Sequence, residues 1–329
     1  MTSTLPTTTV AEVELTDADR TALAALLARL QERYDTPEDP DFLRRAATLG
    51  AALPEAVLER IRDMRHLEAS AALVLRGGPV PTLTTPTPDH WSLRPVAASV
   101  PHDFWLALVC SQLGEPMAWS TLQHGSVFND VAPVRGAEQA QTGQGSTAEL
   151  EFHVEDAFDD DRCDYFGLLA LRNVDAVATT VASIGAIDLD DADAVLFEPR
   201  FLIRPDPEHV RGAGGRAPTP KPCAVLFGAP DAPYLRVDPA FTDALPGDRA
   251  AAEAFASLCR RLDAAAVPVA LSPGDLLLLD NYRSVHGRQP FRPRYDGTDR
   301  WLRKLAVTRD LRRSRARRSS PDDRVIAVR

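Results

Sequence analysis

The chain has 329 residues, a formal net charge of −10 at pH 7 and a hydrophobic content of 44%. The negative charge disfavours nucleic acid as a partner, and no apolar run approaches the ~18 to 20 residues that a membrane span needs. The first ten residues lack the basic and apolar regions of a signal peptide. We therefore expect a cytoplasmic globular protein that acts on a small molecule, with its oligomeric state left open.

The predicted elements change character along the chain. Thr16 is typical of a residue that caps a helix, here over 21–34, and further helices are predicted to begin near Pro40 and Pro54. Short apolar runs of strand length follow, and one more helix is predicted at 248–263; the strand runs are 71–75, 165–171, 177–181, 223–227 and 276–279. This order predicts a mainly β fold with flanking helices (α+β), namely a double-stranded β-helix (a cupin-like jelly roll) buttressed by N-terminal helices.

The expected domain organisation is simple. Residues 1–14 read as a loose tail, 15–318 as a single domain and 319–329 as a C-terminal tail. The stretch 205–222 is rich in glycine and proline, which predicts a long loop that is either a lid over a site or merely mobile. The basic run 312–318 is interpreted as a solvated tail or a subunit contact rather than as a phosphate site.

A candidate metal site stands out from this background. His153 and Glu155 are two residues apart, so on a strand both side chains project to one face. His286 follows a buried strand much later in the chain. Two histidines and one carboxylate can hold one face of Fe(II) and leave its other positions open. Because a His-x-Glu pair is common by chance, this interpretation needs further support.

The support comes from Arg300, which lies shortly after His286 and opens an apolar run of strand length. A planar guanidinium can bind a carboxylate with two parallel hydrogen bonds. The residues therefore predict a clamp for an oxo-acid beside the iron.

Four segments, 152–158, 164–169, 235–238 and 280–318, resemble the clavaminate-synthase-like branch of the iron(II)/2-oxoglutarate oxygenases. Within it, the chain is most similar to bacterial hydroxylases of free arginine and asparagine that serve peptide-antibiotic pathways, and the resemblance runs from about residue 15 to 318. It implies that His153, Glu155 and His286 form the catalytic iron centre and that Arg300 binds the C5 carboxylate of 2-oxoglutarate. Thr180 falls where relatives place a cosubstrate-binding hydroxyl, although it could be an ordinary strand threonine.

The resemblance also implies the reaction. With Fe(II), 2-oxoglutarate and O₂, the relatives form succinate and CO₂ and hydroxylate an unactivated carbon, C3 or C4, of an amino acid. Glu155 separates the chain from halogenating relatives, which lack this carboxylate. Two alternatives remain open: desaturation or cyclisation of an amino acid, and a non-catalytic jelly-roll sensor that binds metal. Arg300 argues against the sensor, since inert binding needs no oxo-acid clamp.

The predicted substrate pocket departs from the relatives at Asp238. The arginine enzymes carry a second acid two residues later, where this chain has Ala240. A half-paired guanidinium is costly to bury, whereas one carboxylate can accept the N–H groups of a urea or carboxamide. We therefore favour citrulline, asparagine or glutamine, with lysine or arginine remaining open if another acid compensates; the candidates are Asp159, Asp160 and Asp161.

A second departure concerns the amino-acid head group. Leu122 occupies a position where relatives carry Gln or Glu against the substrate amino group, and the adjacent Gln123 is the expected replacement. Lys304 matches an arginine that meets the substrate carboxylate. A lysine keeps the charge but loses the two-pronged geometry.

Overall fold

The computed structural model describes residues 8–80, 85–94 and 99–328. The α-helices are α1 Asp17–Arg33, α2 Pro40–Gly50, α3 Glu55–Arg62, α4 Val100–Cys110, α5 Pro207–Gly212 and α6 Arg249–Ala264. The strands up to the middle of the chain are β1 Thr8–Glu14, β2 Ser70–Arg76, β3 Glu115–Trp119, β4 Phe128–Val131, β5 Leu150–His153, β6 Tyr165–Arg172, β7 Thr179–Ser183 and β8 Phe201–Ile203. The later strands are β9 Leu226–Ala229, β10 Ala232–Leu235, β11 Thr242–Ala244, β12 Val267–Val269, β13 Leu276–Asp280, β14 Ser284–Arg288, β15 Trp301–Thr308 and β16 Val325–Ile326.

Two sheets form the centre of the molecule. The larger has eight strands in the order β1-β2-β13-β6-β15-β3-β16, with β4 also paired to β15. The smaller has the order β12-β7-β14-β5. Two short antiparallel pairs, β9 with β10 and β8 with β11, lie outside them. The architecture confirms the predicted double-stranded β-helix with flanking helices.

The run of leucines in β13 shows why the large sheet is central. Leu276 and Leu278 belong to the core against the N-terminal helices, while Leu277 and Leu279 belong to the core between the two sheets. A strand covered on both faces is apolar throughout instead of alternating. Helix α4 packs so closely that a Cβ on Gly167 would lie 2.5 Å from the sulfur of Cys110.

The helix starts follow the predicted signals. Thr16 caps α1 through a capping box with Asp19, α2 begins at Pro40, and Asp248 caps α6. Thr16 and Asp248 accept from amide N–H groups that have no partner inside the helix, and Pro40, at the first helical position, has no N–H to satisfy. No helix of the described ranges is both long and apolar enough to cross a membrane.

The expectation of loose tails is wrong for both ends of the chain within the described residues. Residues 1–7 lie outside those residues, but β1 pairs in parallel with β2. At the other end, β16 pairs in parallel with β3, and Ile326 is buried. Both segments form edge strands that are held by backbone hydrogen bonds. Because they contain few apolar residues, the sequence pattern did not indicate this role.

The basic run is not a solvated tail either. Arg317 binds the carboxylate of Asp159 with two nitrogens at 2.7 and 2.9 Å, and Arg313 lies 3.4 Å from Asp164. Arg318 donates hydrogen bonds to four backbone carbonyls, from Leu311 to Asp323. The run therefore fastens the C-terminal segment to the loop that follows Glu155.

Candidate active site

The predicted metal ligands meet on the small sheet. His153 ends β5, Glu155 follows two residues later, and His286 lies on β14 directly opposite His153 in the strand pairing. One ligand atom from each residue lies within 4.8 Å of the others. The three side chains thus converge on one point, as a facial site requires.

The hydrogen bonds of the two histidines leave the correct nitrogens free for a metal. Nδ1 of His153 lies 2.9 Å from the carbonyl oxygen of Glu151, and Nδ1 of His286 lies 3.1 Å from that of His153. Because a carbonyl only accepts, each Nδ1 carries the proton and each Nε2 keeps its lone pair. Burial, together with the neighbouring His286, lowers the pKa of His153 and favours its neutral, ligating form.

Glu155 is prepared to carry a negative charge. Burial alone would raise its pKa, but the Lys304 ammonium outweighs burial and holds the pKa well below its usual range. The Lys304 ammonium lies 2.7 Å from one carboxylate oxygen, and Nε2 of His286 lies 3.3 Å from the other. A lone pair of His286 Nε2 and one of the Glu155 carboxylate thus face each other across 3.3 Å, and they repel unless a cation binds both. The donor atoms therefore fit a divalent metal.

The backbone at Glu155 is fixed by Asn281. The Asn281 side-chain oxygen accepts from the Glu155 amide at 2.7 Å, and its nitrogen donates to the Glu155 carbonyl at 3.0 Å. The same nitrogen donates to the carbonyl of Cys163. The buried amide therefore holds both ends of the loop that leaves the metal site, a role that the sequence analysis did not assign.

Arg300 lies at the inner end of the same cavity, which both histidines and Glu155 also line. Its side chain is buried, Nη2 donates to the Thr179 hydroxyl at 3.1 Å, and Nε has no hydrogen-bond partner. Burial, and then the cation of Arg288, lower its pKa to about 9. Among the residues that the structure describes, no carboxylate pairs with either guanidinium, so this end of the cavity is suited to bind an anion.

Arg288 was missed by the sequence analysis. It donates through its guanidinium to the carbonyls of Gly145, Ser146 and Ala148, at 3.3 Å to Ser146 and 2.6 Å to Ala148. These bonds hold the loop before β5 against β14. Its position two residues after His286, on the same strand face, is the signal that could have identified it.

The threonine that faces the cavity is Thr179, one residue before the predicted Thr180. Thr179 lines the cavity, whereas Thr180 lies on the outer face of β7, in a depression shared with Phe152 and Cys259. Since successive strand residues point to opposite faces, Thr180 cannot reach the site. The assignment of Thr180 is wrong, and Thr179 is the threonine beside Arg300.

The predicted substrate residues line the other part of the cavity: Leu122, Gln123, Asp238, Ala240 and Lys304. Burial raises the pKa of Asp238 to about 6, and the negative charge of Asp206 adds to the effect. Gln123 faces the cavity with an amide that is already engaged, because its oxygen and nitrogen each bond the Asp130 backbone at 2.8 Å. A role for Gln123 at the substrate amino group stays a prediction.

The stretch 205–222 contributes a wall rather than a plain loop. Its helix α5 places Asp206 and Glu208 at the cavity. Gln144, from the loop before β5, donates to Glu208 at 3.3 Å. Two segments that are distant in sequence therefore meet over the cavity, although the sequence predicted no helix here.

Comparison with known proteins agrees with this geometry. The profile of the taurine catabolism dioxygenase TauD, TfdA family matches residues 106–306. The chain belongs to the TauD/TfdA dioxygenase family. It is 39% identical to the enduracididine beta-hydroxylase of Streptomyces hygroscopicus over 95% of this chain and 99% of that protein. It is 37% identical to the L-ornithine/L-arginine 3-hydroxylase of Catenulispora acidiphila, over 95% and 98% of the two chains.

Solved structures extend the similarity of this TauD/TfdA dioxygenase. The non-heme iron oxygenase OrfP in complex with Fe and alpha-ketoglutaric acid superimposes with a TM-score of 0.87 at 39% identity, over 96% of this chain and 99% of that one. OrfP with Fe, succinate and (3S)-hydroxy-L-Arg gives a TM-score of 0.88 at 38% identity, with the same coverage. The protein is an iron- and 2-oxoglutarate-dependent non-haem dioxygenase that acts on amino acids.

Proposed function

We propose that the protein hydroxylates C3 or C4 of a free L-amino acid with a polar, uncharged side chain, citrulline, asparagine or glutamine, and that the product supplies nonribosomal peptide assembly. His153, Glu155 and His286 would hold the iron, and Arg300 with Thr179 would bind the distal carboxylate of 2-oxoglutarate. When bound, iron and 2-oxoglutarate supply the oxidising chemistry for C–H hydroxylation. The chain itself supplies placement of the substrate.

The observation that carries the substrate class is the pairing of Asp238 with Ala240. Both residues line the cavity, so this turn presents one carboxylate to a substrate and Ala240 adds none. A buried carboxyl with a pKa near 6 can accept from a urea or carboxamide without a compensating cation. A guanidinium placed here would have only one carboxylate from this turn, which leaves part of its charge unpaired.

The acids that could replace the carboxylate missing at Ala240 form ion pairs elsewhere. Asp159 and Asp161 pair with Arg317, and Asp160 pairs with Arg236. None of the three lines the cavity. This arrangement supports a neutral side chain over arginine.

One observation favours a second candidate, a substrate with a cationic side chain such as ornithine, lysine or arginine. Asp206 lines the cavity and is near enough to Asp238 to raise its pKa. One oxygen of Asp206 caps α5 by accepting from the Glu208 and His209 amides at 2.7 and 3.1 Å. Its other oxygen remains available for an ammonium group.

The position of α5 supports a lid role for 205–222. A wall that carries Asp206 and Glu208 can close behind the amino acid and keep water from the oxidised site. Lys304, paired with Glu155, lines the same cavity as the head-group residues, where its ammonium would attract the substrate carboxylate.

The test is a panel of free L-amino acids with Fe(II), 2-oxoglutarate and air, in which succinate and product mass are measured together. We expect a gain of one oxygen on citrulline, asparagine or glutamine, with arginine a poor substrate. A best substrate with a cationic side chain would refute the argument from Ala240 and favour the one from Asp206. A loss of two hydrogens instead of an oxygen gain would indicate desaturation.

The substitution Ala240→Asp tests the same argument from the opposite direction. A second carboxylate should shift preference from citrulline toward arginine by about 10- to 100-fold in relative kcat/KM, since a charge-assisted hydrogen bond contributes ~1.5 to 3 kcal/mol. Ala240→Asn is the matched control, because it adds the same bulk without charge. Equal preferences in the two variants would contradict the proposal.

A further inference from the structure

A buried cluster joins α5 to the residue that follows the iron ligand Glu155. His209, on α5, is only 1% exposed. Its Nε2 lies 2.8 Å from one carboxylate oxygen of Asp156, and its Nδ1 lies 2.7 Å from the Thr121 hydroxyl. The helix that lines the cavity with Glu208 thus also places a buried polar side chain against the residue next to Glu155.

Asp156 is fixed from two directions. Its second carboxylate oxygen accepts from the Trp119 indole at 2.6 Å, and the His209 ring packs edge-on against Trp119 and Phe158, at 5.6 and 4.8 Å between ring centroids. The backbone of Asp156 has φ 55°, a left-handed conformation that is uncommon for residues with a side chain, although aspartate tolerates it better than most. The bonds from Trp119 and His209 hold the Asp156 carboxylate in place within this turn.

This conformation matters because Asp156 is adjacent to Glu155. On its other side, the backbone of Glu155 is held by Asn281. Lys304 holds the Glu155 carboxylate itself. The backbone from which that side chain projects has two anchors: Asn281, which directly follows β13, and Asp156, which is bound by a residue of α5.

The docking of α5 is close at a second point. A Cβ on Gly212, at the end of α5, would lie 2.0 Å from the carbonyl oxygen of Thr121. Thr121 also bonds His209, so the helix contacts the 119–121 segment both through its side chain and through its backbone. A small displacement of α5 would withdraw His209 from Asp156.

We propose that His209 is a positioning residue that couples the docking of α5 over the cavity to the orientation of the iron ligand Glu155. An open α5 removes one of the two donors to Asp156, and the left-handed turn beside Glu155 loses its support. The metal site is then best formed only when the cavity is covered, which would limit oxidation of 2-oxoglutarate before a substrate is enclosed. The inference rests on the iron site and is independent of which amino acid is used.

The experiment compares variants by two measurements that need no amino acid. The first is Fe(II) affinity, by competition with a chromophoric chelator; the second is amide hydrogen exchange in α5, with and without Fe(II). His209→Phe keeps the ring packing and removes both hydrogen bonds. We expect its Fe(II) affinity to fall about tenfold, as for other partners that orient a ligand, and its α5 amides to exchange faster.

Coupling must act in both directions. In the unaltered protein, Fe(II) should therefore slow exchange in α5, and in His209→Phe this protection should disappear. His209→Gln retains an amide nitrogen near the position of Nε2 and should restore most of both effects. Arg216→Gln, an exposed change in the same segment, should alter neither.

Gly212→Ala provides an independent variant that leaves His209 intact. By displacing α5 from Thr121 it should also weaken Fe(II) binding. Faster exchange in α5 with unchanged Fe(II) affinity, in either His209→Phe or Gly212→Ala, would overturn the proposal, as would unaltered exchange in both. Failure of the amino-acid panel would leave these measurements untouched, so the two proposals fail separately.

Discussion

The cavity has two ends that are built differently. The iron and cosubstrate end is formed by side chains on regular strands, namely His153 on β5, His286 on β14 and Thr179 on β7, and by Glu155 and Arg300, which lie within two residues of a strand end. The substrate end is formed largely by loops and by α5; its acids Asp206 and Asp238 come from irregular segments, and Lys304 is its contribution from a strand. The alternation of side chains along a strand can be predicted from the sequence, whereas the conformation of a loop is known only from the structure. The chemistry is therefore easier to assign than the substrate.

The largest expected effect is loss of the metal. His286→Ala removes a ligand, and because loss of even an outer partner weakens metal binding by about 10- to 100-fold, we expect a larger fall in Fe(II) affinity and no measurable succinate formation. His66→Ala, at an exposed histidine, is the control. Metal content and succinate measured on both would decide; a variant that binds Fe(II) normally would refute the ligand assignment.

An intermediate effect is expected at the anion-binding end. Arg300→Gln should raise the Kd for 2-oxoglutarate by about 10- to 100-fold, since a hydrogen bond to a charged group is worth ~1.5 to 3 kcal/mol. Fe(II) affinity should stay unchanged. Arg294→Gln, which breaks only the partly exposed pair with Asp175, is the matched control. Calorimetry with 2-oxoglutarate under anaerobic conditions measures both.

The smallest effect distinguishes the two faces of β7. Thr179→Val removes one hydroxyl beside Arg300 and should raise the Kd for 2-oxoglutarate about fivefold, the value of one ~1 kcal/mol hydrogen bond. Thr180→Val makes the same change on the outer face and should have no effect on this Kd. The reverse order would show that the strand is displaced by one residue, which would place the opposite set of side chains in the cavity.

These comparisons show where the sequence was sufficient. The spacing of His153 and Glu155, the leucines of β13 and the cap of α1 are local patterns. The two side chains do approach each other, although β5 ends at His153, and the leucine run and the cap predicted their elements correctly. Thr180 failed because a one-residue uncertainty in a strand exchanges its faces. Arg288 and Asn281 were missed because their partners lie far away in sequence: Asn281 bonds Glu155, and Arg288 bonds the loop that ends at Ala148.

The prediction of loose tails was wrong for a related reason. Nothing local in 8–14 identifies β2 as its partner, and the contact of β16 with β3 joins residues 325–326 to 118–119. The basic run was interpreted by composition, but Arg317 meets Asp159 across most of the domain's sequence. The sequence showed that these residues are charged, but it did not show which ion pairs they form.

The large sheet carries one more consequence, for shortened forms of the protein. Its two outer strands are β1 and β16, and they cover the edges of β2 and β3. Removing residues before 15 or after 323 would uncover a row of unpaired N–H and C=O groups, on which strands of another molecule can add. Such truncated proteins would then self-associate through their sheet edges while the iron-binding strands, which lie on the other sheet, remained intact.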